Sequence, residues 1–167
     1  MNTETWTFPL KDWSFQSIPE GDHNGAFGKV RKYDIHTGVD LYCEPNTEVF
    51  AVEDGEVIAI EEFTGPNADS PWWYDTQAVL VKGKSGVILY GEVTAPDIEV
   101  GLFLKRGMLF AFTKQVLKKD KGLPMCMLHF ELYTSNIIES VWWKLNDTQP
   151  ENLLNPTKKL QESLCSA

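Results

Sequence analysis

A chain of 167 residues with 43% hydrophobic and 23% charged side chains suits one soluble domain with a sizeable core, and is too short to expect two. Its formal charge of −9 excludes a nucleic-acid-binding surface over most of the molecule, because phosphate would be repelled. The sequence has no unbroken apolar run long enough for a membrane-spanning helix.

The opening "MNTETWTFPLKDW" lacks the basic and apolar regions of a secretory signal, so the expected address is cytoplasmic, with export by another route left open. Residues 1–26 mix Pro, Gly, Asp and aromatic residues without a period and read as a wrap over the rest of the domain. Residues 27–133 form a series of short β-like runs separated by turn residues. The expected fold class is therefore mostly β, a single-domain antiparallel sandwich or barrel-like structure with few short helices.

In "TEVFAVEDGEVIAIEEF", Val49, Ala51, Val57 and Ala59 alternate around Asp54-Gly55, which predicts two strands about a tight turn. "TGPNADSPWWYDT" reads as a loop, where Trp72 and Trp73 either wall a groove or cover one end of the sheet. "QAVLVKG" and "GVILYGEV" are strands broken by Gly83-Lys84-Ser85-Gly86, and "CMLHFELY" is the last strongly apolar strand. In the tail, residues 134–167, a short helix is expected with Asn155 as N-cap and Pro156 in its first turn.

Three cysteines, Cys43, Cys126 and Cys165, show no paired metal-ligand spacing and read as reduced thiols. Cys43 is expected to be a small buried side chain. Of the three histidines, His23 reads as part of a solvated loop. His36 and Asp40, in "HTGVD", are a weak metal motif taken alone. In an extended strand residues four apart lie roughly 13 Å from one another, whereas zinc ligands approach the ion to about 2.0–2.2 Å. A bend at Gly38 would reconcile the two.

"HTGVDLYCEPNTEVFAVEDGEVIAI" resembles the opening block of the lysostaphin-type (LytM-like) zinc endopeptidases, with matches at His36, Gly38, Asp40, Thr47, Val49, Ala51, Gly55 and Val57. "VGLFLKRGMLFAF" resembles a later glycine-punctuated segment at Gly101 and Gly107, and "MLHFELY" resembles the closing His-x-His-Phe-Glu strand. The resemblance runs from about Phe27 to Tyr133. It implies the duplicated hybrid motif arrangement of antiparallel strands, with a groove over one zinc ion held by His36, Asp40 and His129. It also implies that Glu131 and the neighbouring strands orient those ligands. Tyr90, Met127, Trp72 and Trp73 are then expected around the groove. Copper ranks behind zinc, because Cys126 should face away from Met127 in a strand.

This sequence departs from the family at both histidines that handle protons rather than metal. Met127 stands at the first position of His-x-His, and a thioether has no titratable proton. Glu92 stands where the family's Tyr-x-His segment, here Tyr90-Gly91-Glu92, ends in histidine. An acid-base group contributes about 10²- to 10⁴-fold and an oxyanion donor about 10²- to 10³-fold, so losing both leaves a poor peptidase. The expected function is a zinc-binding, catalytically impaired domain that binds a peptide or peptidoglycan-like ligand. The alternatives are a zinc hydrolase with Glu92 as general base, Glu92 as a fourth ligand closing the site, or a metal-free carbohydrate-binding module. Nothing in the sequence fixes the oligomeric state.

Overall fold

The computed structural model describes residues 5–13 and 17–165. Residues 1–4 and 14–16 of the expected wrap and 166–167 of the tail lie outside the described residues, as does the Cys165 side chain.

The fold is mostly β. Nine strands, β1 (Val39–Tyr42), β2 (Glu48–Phe50), β3 (Gly55–Thr64), β4 (Thr76–Gly83), β5 (Gly86–Thr94), β6 (Phe103–Leu104), β7 (Leu109–Thr113), β8 (Met127–Tyr133) and β9 (Leu153–Leu154), precede one helix, α1 (Thr157–Cys165). They join in a single antiparallel sheet in the order β1-β8-β5-β4-β3-β6, with β7 bridging β5 to β2 and β9 added to β8. The Lys84-Ser85 hairpin between β4 and β5 is legible in the glycines that flank it.

Alternation along the strands gives the sheet two covered faces. Leu41, Val79, Ile88, Tyr90, Leu128 and Phe130 join the larger core, while Ala78, Leu80, Val87, Leu89 and Tyr133 join a smaller one on the opposite face. The central strands are covered on both sides and so read as continuous apolar runs. The segment before β1 seals the larger core: Trp6, Phe8, Leu10 and Trp13 are buried in it, and Thr7 N–H donates to the Val52 carbonyl at 2.9 Å. Trp143 packs its ring on Phe27 at 5.6 Å, whereas Trp142 is exposed. At α1 the Asn155 carboxamide accepts the Thr157 N–H at 3.0 Å.

One expectation is corrected. Asp54-Gly55 does not turn a hairpin, because β2 pairs with β7 and β3 pairs with β4 and β6. Asp54 Oδ1 instead accepts the Arg106 N–H at 2.8 Å. Gly55 is required by proximity, since a Cβ there would lie 2.7 Å from a Val81 methyl and 2.8 Å from the Lys82 carbonyl oxygen.

Candidate metal centre

Strands β1 and β8 place Asp40 directly opposite His129, on the face that carries the smaller core. Gly91 of β5 flanks His129 on its other side, and the Phe63 ring occupies the space above that glycine, 5.3 Å from the imidazole centroid. His36 arrives from the loop before β1. Its Nε2 lies 3.2 Å from Asp40 Oδ1, far closer than an extended strand permits. Gly38 makes this possible through close approach, not through a left-handed backbone. A Cβ there would lie 2.4 Å from the Phe130 carbonyl oxygen, so only glycine lets the loop cross β8.

His129 Nδ1 lies 2.9 Å from the same Asp40 oxygen and 3.2 Å from His36 Nε2. All three residues are buried. Ligand atoms on a tetrahedral zinc ion stand about 3.3–3.5 Å apart, so this triangle has the shape of three tetrahedral corners, slightly contracted. Among the described residues the cluster comprises His36, Asp40 and His129, and Glu92 does not join it as a fourth member.

The outer hydrogen bonds fix what the cluster presents. His36 Nδ1 lies 2.9 Å from the Ala26 carbonyl, which can only accept, so this nitrogen carries the proton and Nε2 offers a lone pair. His129 Nε2 donates at 2.6 Å to Glu131, leaving Nδ1 bare. Glu131, itself buried, also accepts from the Thr37 and Tyr133 hydroxyls. Two imidazole lone pairs and a carboxylate oxygen therefore face one another, an arrangement that a cation must relieve.

A proton is one such cation. Burial lowers the His129 pKa, but hydrogen bonds to Asp40 and Glu131 outweigh it and raise it well above the ordinary imidazole value. Burial likewise raises the Asp40 pKa, and the charge and hydrogen bonds of the two histidines overcome it and hold the carboxyl far below the usual range. A divalent ion is the other possibility, and a donor set of two imidazoles and one carboxylate with a fourth corner free suits zinc. A softer copper set is not assembled: Met127 shares the His129 face, while Cys126 lies on the opposite one.

Glu92 reaches this face through a β-bulge. β5 pairs with β8 up to Gly91 and with β7 from Val93, while the β4 register skips from Gln77–Val93 to Ala78–Gly91. The extra residue is Glu92, held at φ 64°, a left-handed conformation costly for a non-glycine residue. The bulge reverses the strand's alternation, so Tyr90 and Val93 both enter the larger core and Glu92 is left on the Asp40 and His129 side. Its Oε2 is buried without a hydrogen-bond partner among the described residues. Burial, then the Asp40 charge, push its pKa up to about 8.

The other anticipated site residues divide. Met127 is buried opposite Tyr42, and Glu131 holds His129. Tyr90 is corrected from groove to core: it is fully buried, and its hydroxyl accepts the Val52 N–H at 3.0 Å. Trp72 is exposed, and Trp73 forms a bridge with Leu117 that ties their loop to the segment after β7. His23 is exposed, its Nδ1 accepting the Gly25 N–H at 3.0 Å.

Two further side chains at the cluster escape a motif-based reading. Arg31 Nη2 lies 3.3 Å from Asp40 Oδ2 and donates at 2.7 Å to the Asn24 carbonyl. Tyr42 shares the face of Asp40, two residues on, and burial followed by the Asp40 charge pushes its phenol up to about 12, so it remains a donor. Neither position belongs to the metal pattern, and an arginine in an irregular loop carries no periodic signal.

No protein-family model matches the sequence, and no curated protein matches it. Solved structures do match in fold. A zinc-containing peptidase from Vibrio cholerae is 18% identical with a TM-score of 0.54, covering 88% of this chain and 41% of that one. CbpA from L. salivarius REN is 16% identical with a TM-score of 0.62, covering 98% of this chain and 99% of that one. Lysostaphin is 15% identical with a TM-score of 0.56, covering 97% of this chain and 56% of that one. The chain thus spans well under two thirds of the Vibrio protein and of lysostaphin, and at these identities the likeness establishes the fold.

Proposed function

We propose that this chain is a zinc-binding, peptidase-like domain that is catalytically impaired and holds a peptide or peptidoglycan-like ligand over the metal. The observation that carries this reading is the convergence of His36 Nε2, Asp40 Oδ1 and His129 Nδ1 within 3.2 Å, with both imidazole protons directed outward. The fold shared with a zinc-containing peptidase supports the choice of metal and of a peptide ligand. Zinc bound there would supply Lewis-acid polarisation of a ligand carbonyl. Impairment follows from Met127, which occupies the His129 face and can neither give nor take a proton.

A second reading, hydrolysis, is favoured by Glu92. A carboxyl whose Oε2 is buried without a hydrogen-bond partner among the described residues, on a half-buried side chain whose pKa in the metal-free chain is pushed up to about 8, has the character of a general acid or base. Arg31 lies on the same side, engaged with Asp40.

The deciding experiment measures zinc per chain after purification without chelator, then turnover on glycine-rich and peptidoglycan stem peptides. The expected result is one zinc ion per chain, lost in His129→Ala, with no turnover by the native protein. Turnover abolished by Glu92→Gln would establish the hydrolase instead, and absence of zinc would overturn both readings. Met127→His tests the impairment directly, with weak turnover expected to appear.

A further inference from the structure

Beyond the last ladder pair, Tyr42–Met127, where both strands end, one further backbone hydrogen bond joins the two segments. Cys43 N–H donates to the Cys126 carbonyl at 3.2 Å, which sets the two cysteines directly opposite each other. Residues opposed across antiparallel segments have Cα atoms about 4.5–5.5 Å apart, inside the roughly 4.4–6.8 Å range that a disulfide spans. Their side chains leave the sheet on the same face. Three residues from Asp40 and from His129, that face is the reverse of the one carrying the metal cluster. Both thiols are free.

The pair is accessible from one side. Cys43 and Cys126 line a cavity of about 640 Å³ whose wall also includes Trp13, Pro45 and Met125. Cys126 is buried and Cys43 is partly exposed, so a reagent in the cavity meets Cys43 first. The two thiols also differ in character. Hydrogen bonding with the Cys126 thiol, opposed by burial, holds Cys43 below the usual thiol range, and Cys126 is pushed far up.

We propose that Cys43 and Cys126 form a redox-active dithiol that closes to a cross-strand disulfide by exchange with a low-molecular-weight disulfide. The Cys43 thiolate attacks one sulfur of the incoming disulfide, whose S–S bond breaks and releases one thiolate. Cys126 then loses its proton and attacks the Cys43 sulfur, breaking the mixed disulfide and releasing the second thiolate. Two electrons pass from the protein to the small disulfide, and two small thiols result. The crosslink ties β1 to β8, the two strands that carry Asp40 and His129. This site is independent of whether the cluster binds zinc.

The test incubates the native full chain in mixtures of glutathione and glutathione disulfide at graded ratios, with alkylation of free thiols and peptide mapping by mass spectrometry. The expected product joins the Cys43 and Cys126 peptides with the loss of two hydrogens, reverts in excess glutathione, and forms unchanged in Cys165→Ser. Cys126→Ser should instead arrest at glutathione attached to Cys43. Failure to form the Cys43–Cys126 link at any ratio, or links only through Cys165, overturns the proposal. Attachment of glutathione to Cys126 in Cys43→Ser as readily as to Cys43 in Cys126→Ser overturns the assignment of Cys43 as the attacking thiol.

Discussion

Glu131 keeps a negative charge with only 1% of its surface exposed, which is tolerable because His129, Thr37 and Tyr133 all donate to it. Burial raises its pKa, but the hydrogen bond and charge of His129 reverse this and lower it. Glu131→Gln would weaken the acceptor that holds His129 Nε2–H. Zinc affinity measured by competition with a chromogenic chelator should fall about 10- to 100-fold, with the fold retained. Glu92 has the opposite balance. Its folded pKa, near 8, lies above the ordinary carboxyl value, so the folded chain binds more protons than the unfolded chain between those two values. Its contribution to stability is full below the unfolded pKa and is lost as pH rises toward 8. In chelator-treated protein, the denaturant midpoint should decline from pH 5 to pH 8. Glu92→Gln should flatten that decline by on the order of 2 kcal/mol, since the side chain is partly screened by solvent. Asp40 and Glu131, with lowered pKa values, lose their contribution at the acid end, as pH falls through the carboxylate range.

The element that matters most is the crossing of the His36–Asp40 loop over β8. Gly38→Ala places a methyl 2.4 Å from a backbone oxygen, so the loop must lift. The expected cost is about 1–3 kcal/mol in stability, together with loss of stoichiometric zinc binding, as measured by denaturation and metal analysis. Much at this scale is legible in the sequence. Strand runs such as Gln77–Gly83 and Met127–Tyr133 declare themselves because apolar residues are nearly continuous where both faces are covered. The His36, Asp40 and His129 set is legible only through spacing that resembles a known pattern. The bulge at Glu92 is not legible, because nothing in "YGEV" distinguishes a residue that continues the alternation from one that breaks it. The placement of Tyr90 fails with it, since one extra residue changes which neighbours share a face. The pairing of β2 with β7 is hidden for a different reason: a strong turn dipeptide can be recruited for a side-chain contact, as Asp54 is by Arg106.

At the scale of the molecule, one sheet carries two cores and the candidate metal cluster lies at the margin of the smaller one. The aligned lone pairs belong to the folded state alone, so zinc should bind it in preference to the unfolded chain. At a hundredfold excess over its dissociation constant, such a ligand adds about 2.7 kcal/mol. Zinc should therefore raise the melting temperature by several degrees, and chelation should return it to the metal-free value. Calorimetry on the native chain and on His129→Ala checks this, since the variant should show no rise. No helix of the described structure is long and apolar enough to cross a membrane.

The sequence distance across the cluster has a consequence for how the protein is made. His129 follows Asp40 by 89 residues and His36 by 93. Until β8 has left the ribosome and docked between β1 and β5, a nascent chain can offer only the first two ligands, and without β8 to cross, nothing draws them together. Metal capture by this cluster would thus be a late event, after the longest-range pairing in the sheet, and incorporation of zinc would report that synthesis and folding of the β domain are complete.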